Sequence, residues 1–158
     1  MKLQAGDSEE IIHVEDKVIF QSEFIKSIAL DLKISEDVIP LDQISHSVLL
    51  LVIKYLQHHV NTPPMSAKEL QEFRVNDHMG DFEKEFFNVD KNTLFSIVKA
   101  ANFLSCSRLL SCGCKAIALQ IRGKSTDEIR EIFGIENDFS PEEEARLRVI
   151  HKWCLNAV

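Results

Sequence analysis

IREIFGIENDFSPEEEARLRVIHKWC, residues 129–154, is the stretch that settles how this chain is built. Two short amphipathic helices can be read around it, each opened by a capping box. Ser125 stands three residues before Glu128, and Ser140 three before Glu143, with Pro141 at the first helical position. Gly134 is placed to close the first helix, and Asn137-Asp138-Phe139 reads as a polar turn carrying one aromatic. Ile129, Ile132 and Phe133 share one face; Leu147, Ile150 and either Trp153 or Cys154 share another. Helices this short do not persist alone in water. They follow a segment that already reads as a finished domain, so their apolar faces imply a partner.

Working back toward the N-terminus, strands come first. Lys2–Ala5 and Glu10–Val14 alternate as two short strands around a Gly6-Asp7-Ser8 turn. Lys17–Phe20 either extends the second or leads into a helix. Ser22 can cap a helix over Glu23–Leu32. Val38–Leu41 reads as an edge strand, because Pro40 has no N–H to donate. Ser45 opens a helix, Val48–Leu56, that is apolar nearly all round and therefore belongs in a core. From Asn61 to Asp81 the composition turns polar behind Pro63-Pro64, which predicts a long surface loop, partly mobile. Phe82–Val89 re-enters the fold. A helix starts at Asp90 or Thr93, and another near Ser107 carries Leu110, Cys114, Ile117 and Ile121 as one stripe. Strands and helices mixed early, followed by helices alone, give an α+β domain with a helical extension. The expected divisions are 1–60, a polar loop at 61–81, 82–122, and the C-terminal helices at 123–158.

Bulk properties exclude several classes. With 25 acidic against 18 basic residues the net charge is −7, and no basic patch is visible, so a nucleic-acid partner is not expected. No apolar run approaches the ~18 residues of a membrane span, and the opening MKLQAGDSEE is unlike a signal peptide. The four cysteines, Cys106, Cys112, Cys114 and Cys154, match no zinc spacing and read as free, packing thiols. Gly123-Lys124-Ser125-Thr126 resembles the end of a phosphate-binding loop, but Ala118 stands where the motif needs glycine, and a helix precedes it. His58-His59 lacks further metal ligands and reads as a polar helix end set against the dipole. Glu142-Glu143-Glu144 reads as a favourable helix N-terminus. No nucleophile motif and no glycine-rich cradle is present, so neither enzymatic activity nor a cofactor is expected.

The ending resembles the signature "IRxxFxIxNDFxxEEE…WC" of the S-phase-kinase-associated (Skp-type) adaptors of SCF ubiquitin ligases. The likeness extends along nearly the whole chain. "KLQAGDSEEIIHVE" is similar to that family's opening strand pair. "IPLDQISHSVLLLVIKYLQHH" and "FEKEFFNVDKNTLFSIVKAANFLSCSRLLSCGCKAIALQIRGKSTDEIR" match its central stretches. The resemblance implies a BTB/POZ fold with a C-terminal helical extension that binds F-box proteins. It implies a non-catalytic adaptor that joins the N-terminal region of a cullin to the F-box of a substrate receptor, in the cytoplasm and nucleus. Carried over by matching motif, the cullin side includes Asn102 and Phe103. The F-box side includes Cys114, Ile117, Ile121, Ile132, Phe133, Ile135, Asn137, Asp138, Phe139 and Trp153. The resemblance also implies homodimers of the unbound chain. Relatives with a similar "NDF[ST]PEEE" are hydroxylated and then glycosylated on the proline that Pro141 matches here, although a first-turn proline has a sufficient structural reason.

Some positions depart from the family pattern. Phe103 stands for a tyrosine, Phe82 for a tryptophan, Gly80-Asp81 for an apolar pair, and Ser105-Cys106-Ser107 for a stiffer "DIK". The hydroxyl missing at Phe103 removes a hydrogen bond worth ~0.5–1.5 kcal/mol. These departures suggest a divergent paralogue. They also motivate an alternative, an F-box-binding regulatory protein that does not engage a cullin.

Overall fold

The structure is a computed structural model that describes residues 1–32, 38–76 and 78–151. The chain divides into two compact units, Met1–Leu119 and Gln120–Val158.

The first unit opens with β1 (Lys2–Ala5) and β2 (Ile11–His13), antiparallel with Leu3 opposite Ile12. Two helices follow, α1 (Asp16–Ile19) and α2 (Glu23–Leu32), so Lys17–Ile19 is helical and does not extend the strand. Then β3 (Val38–Leu41) returns parallel to β1, with Leu3 opposite Ile39 and Ala5 opposite Leu41. The order β2-β1-β3 puts Pro40 on an edge, where its missing donor costs no ladder bond. Leu3, Ala5, Ile39 and Leu41 alternate inward and are buried. Gly6 is required by a close approach: a Cβ there would lie 2.2 Å from the carbonyl oxygen of Asp42.

Helix α3 (His46–His58) fills the centre with Val48, Leu49, Val52, Ile53, Tyr55 and Leu56, while Leu50 remains 46% exposed. Ser45 occupies the cap position as expected, but its side chain makes no cap bond. Asp7, in the β1–β2 turn, instead accepts from the His46 N–H at 2.6 Å. Ser22 does cap α2, accepting from the Ile25 N–H. Its buried hydroxyl also donates to the carbonyl of Leu104.

The 61–81 stretch is not simply a loop. It contains α4 (Ala67–Val75), opened by a complete Ser66–Glu69 capping box. Its far end is fastened by Lys115, whose ammonium donates to the carbonyls of Phe73 and His78 and to Asn76 Oδ1 at 2.6–2.7 Å. Helices α5 (Asp81–Phe86), α6 (Lys91–Phe103) and α7 (Ser107–Ile121) complete the core, α6 opening on Asp90, which accepts from the N–H groups of Asn92 and Thr93.

The His58-His59 end is more than a polar helix terminus. His59 is 7% exposed, and its Nε2 lies 3.1 Å from Glu83 Oε1 but off the line of a hydrogen bond, while His58 stacks on Phe82 at 3.5 Å. Tyr55, fully enclosed, meets the rings of His59, Phe82, Phe86 and Phe87. Burial pushes the Cys106 thiol up to about 12 and raises that of Cys112. These two pack inward, whereas Cys114 is exposed.

The second unit carries α8 (Thr126–Phe133) and α9 (Pro141–Ile150). Both capping boxes form: Ser125 with Glu128, and Ser140 with Glu143, with Pro141 in the first turn. The bonds to these serines hold the Glu128 and Glu143 carboxyls below their ordinary range. Gly134 ends α8 in the left-handed region, at φ 64°, a conformation that glycine adopts without a Cβ clash.

Candidate binding surfaces

Asn102 and Phe103 lie side by side on the last turn of α6. Asn102 is exposed; Phe103 is half-buried, its ring 4.9 Å from that of Phe24 on α2. Together with Ile44, Ser45, Val48 and Lys99 they line a concavity of about 550 Å³. The Phe103 ring is therefore steadied by α2 and needs no hydroxyl to hold its place in the fold.

On α7 the stripe Leu110–Cys114–Ile117 is not the core stripe. The helix buries Leu109, Cys112, Lys115 and Ala116 instead, leaving Cys114 exposed and Ile117 half-buried. Leu110 and Ile117 pack partly against the core, so this side of α7 shows only their outer edges and Cys114 to solvent.

In the second unit no described residue of α8 or α9 is buried. Ile121, Ile132 and Phe133 are half-buried, whereas Ile135 is 56% and Phe139 46% exposed. Asn137 and Asp138 are exposed, and Asn137 Oδ1 accepts from the Phe139 N–H at 3.2 Å, which sets the turn that presents the ring. Pro141 is exposed at the start of α9. Trp153 and Cys154 lie outside the described residues. Between α8 and α9 runs a cleft of about 660 Å³, lined by Thr126, Asp127, Arg130, Phe139, Leu147 and His151 among others.

Three residues that sequence reading passed over take part. Arg130 bridges Asp127 at 3.0 Å and Glu144 at 3.3 Å. Phe24 backs Phe103. Lys115 sits on the buried side of α7, at the i+3 spacing after Leu109 and Cys112 that could have revealed it. The apparent phosphate loop is occupied by capping: Ser125 caps α8, and Lys124 pairs with Glu128 at 3.2 Å.

Comparison with known proteins places these surfaces in context. Residues 1–61 match the Skp1 family tetramerisation domain, and residues 107–154 match the Skp1 family dimerisation domain. The chain is 40% identical to the E3 ubiquitin ligase complex SCF subunit sconC of Talaromyces marneffei, over 96% of this chain and 94% of that protein. It is 36% identical to the SCF ubiquitin ligase complex protein SKP1a of Dictyostelium discoideum, over 98% and 94%. A Skp1-related protein of Caenorhabditis elegans is also 36% identical, over 98% and 90%. The chain belongs to the Skp1 family.

Proposed function

We propose that this protein is the adaptor of an SCF-type cullin–RING ubiquitin ligase, acting in the cytoplasm and nucleus. It holds a cullin N-terminal region at the Asn102–Phe103 face and the F-box of a substrate receptor on the C-terminal helices. It makes and breaks no bond itself. The observation that carries this reading is the pair α8–α9: both helices open on a complete capping box, yet no described residue of either is buried. Local signals fix their helicity, while Ile135, Phe139, Val149 and Ile150 stay about half or more exposed, an apolar surface suited to a second protein. Family membership supplies the partner class, since relatives are named as SCF subunits.

A second reading, an F-box-binding regulator that does not engage a cullin, is motivated by the missing hydroxyl at Phe103. Against it, Asn102 is exposed and Phe103 keeps an ordered, half-exposed ring beside it. The two are separated by affinity purification of the chain from cells with identification of bound proteins. Cullin together with F-box proteins supports the adaptor; F-box proteins without cullin support the regulator. Asn102→Lys with Phe103→Lys should remove the cullin and retain the F-box proteins. Loss of both would refute the assignment of separate faces.

A further inference from the structure

The second unit poses a physical problem. Two helices of 8 and 10 residues, none of whose described residues is buried, need something to hold them at a fixed angle. Helices of this length gain most of their stability from packing. Ile129, Ile132, Phe133 and Leu147 are half-buried, and ion pairs add to what they supply. Arg130, in the last turn of α8, has a side chain only 15% exposed. Its Nη1 reaches Asp127 Oδ1 on its own helix at 3.0 Å and Glu144 Oε1 on α9 at 3.3 Å. Its guanidinium lies 6.0 Å from the centroid of the Phe139 ring, and its backbone carbonyl accepts from the Ile135 N–H at 2.9 Å in the turn that leaves α8. One side chain therefore touches α8, the connecting turn's aromatic and α9. Arg148 also reaches Glu144 Oε1, at 3.2 Å, but from α9 itself and with 66% exposure.

We infer that Arg130 is a positioning residue for F-box binding: it clamps α9 and Phe139 to α8 in the free chain, so that the partner meets a formed surface. This rests on the proposed F-box reading. A bound partner would otherwise have to order α9 at the moment of binding, and apparent affinity falls by the fraction of chains already ordered.

The test uses the full-length chain, a purified F-box domain as the probe, and amide hydrogen exchange of the free chain as an independent readout. Arg130→Met keeps the apolar stem and removes the charge. It should raise opening of α9 in the free chain roughly tenfold, read as faster exchange in 142–150, and weaken F-box binding by as much as the ordered fraction falls. Melting of the Met1–Leu119 unit should stay unchanged. Arg130→Lys should recover part of both losses. Arg148→Met should change either readout less than threefold, because it breaks only a bond within α9. Arg130→Met combined with Glu144→Gln should be little worse than Arg130→Met alone, since both remove the same link.

Weaker binding with unchanged exchange in the free chain would make Arg130 a direct partner contact and overturn the inference. A substantial fall in the ordered fraction with unchanged affinity would overturn it too, as would additive losses in the double variant. If the unaltered chain binds no F-box domain, the proposed function fails; the exchange data then still decide whether the clamp exists.

Discussion

Lys115→Met tests how the 61–81 segment is held. Methionine matches the length of the lysine stem and leaves α7 its helix propensity, so the change is confined to the ammonium. That ammonium donates to the carbonyl of Phe73 at 2.7 Å, Asn76 Oδ1 at 2.7 Å and the carbonyl of His78 at 2.6 Å, and lies 3.9 Å from the centre of the Phe73 ring. The Phe73 carbonyl is among the last four of α4, which have no partner within the helix, so Lys115 caps α4 from a distant element. Hydrogen bonds to a charged donor contribute roughly 1.5–3 kcal/mol each. Taking the ammonium out of water, where Lys115 is only 7% exposed, costs several kcal/mol in return. The abandoned carbonyls can also rehydrate once the segment lifts away. A net loss of about 2–3 kcal/mol is the consequence, confined to the segment rather than spread over the fold. In hydrogen exchange followed by mass spectrometry, amides of 67–79 should exchange roughly 30- to 150-fold faster, while α3 and α6 stay protected. Proteolysis at Arg74 should rise in step. Exchange of 67–79 within threefold of the unaltered chain would refute the reasoning.

Acid should destabilise the first unit through His59. Burial holds its imidazole below the ordinary value, and this outweighs the attraction of Glu83 on α5; Arg108 on α7 and His58 beside it act in the same direction as burial. The folded state thus binds fewer protons than the unfolded one, so the stability is complete above the ordinary imidazole pKa of about 6.5 and is lost as pH falls from there toward the folded value. Urea midpoints at pH 7.5 and 5.5 should fall more for the unaltered chain than for His59→Gln; equal falls would remove His59 from the account. At Ser105, φ is +52°, in the left-handed region that serine adopts at a cost. Ser105→Asn should raise the unfolding free energy by about 0.5 kcal/mol in urea denaturation, and a decrease would contradict the strain reading.

What the sequence made legible was local. A capping box joins residues three apart, so Ser125–Glu128, Ser140–Glu143 and Gly134 could be read directly, and Asp90 as one of two possible starts of α6. The strand pair and the edge position of Pro40 followed from alternation and from one missing donor. The Ser66–Glu69 box carries the same signal, yet from sequence the segment reads as a loop. It has no strong apolar stripe, it follows Pro63-Pro64, and its anchor is a lysine 39 residues beyond Asn76 in the chain. The same reason hides Asp7 at the start of α3, Glu83 beside His59, Phe24 behind Phe103, and Arg130 across from Glu144. Each pairing joins residues far apart in sequence, and nothing in the periodicity of either partner's own helix announces the other. Motif resemblance pointed to Cys114 and Ile117 on α7 and to the turn bearing Phe139, but not to the Arg130–Glu144 pair beside that turn.

The central claim is that one chain carries two partners at once on separate faces. Sedimentation velocity of the full-length chain with a purified F-box domain and a cullin N-terminal region tests it most directly. The account predicts a single ternary species with one copy of each protein, and it predicts that Asn102→Lys with Phe103→Lys leaves only the complex of chain and F-box domain. Competition between the two partners for the chain, or the absence of cullin from every complex at concentrations that saturate a family relative, would contradict it.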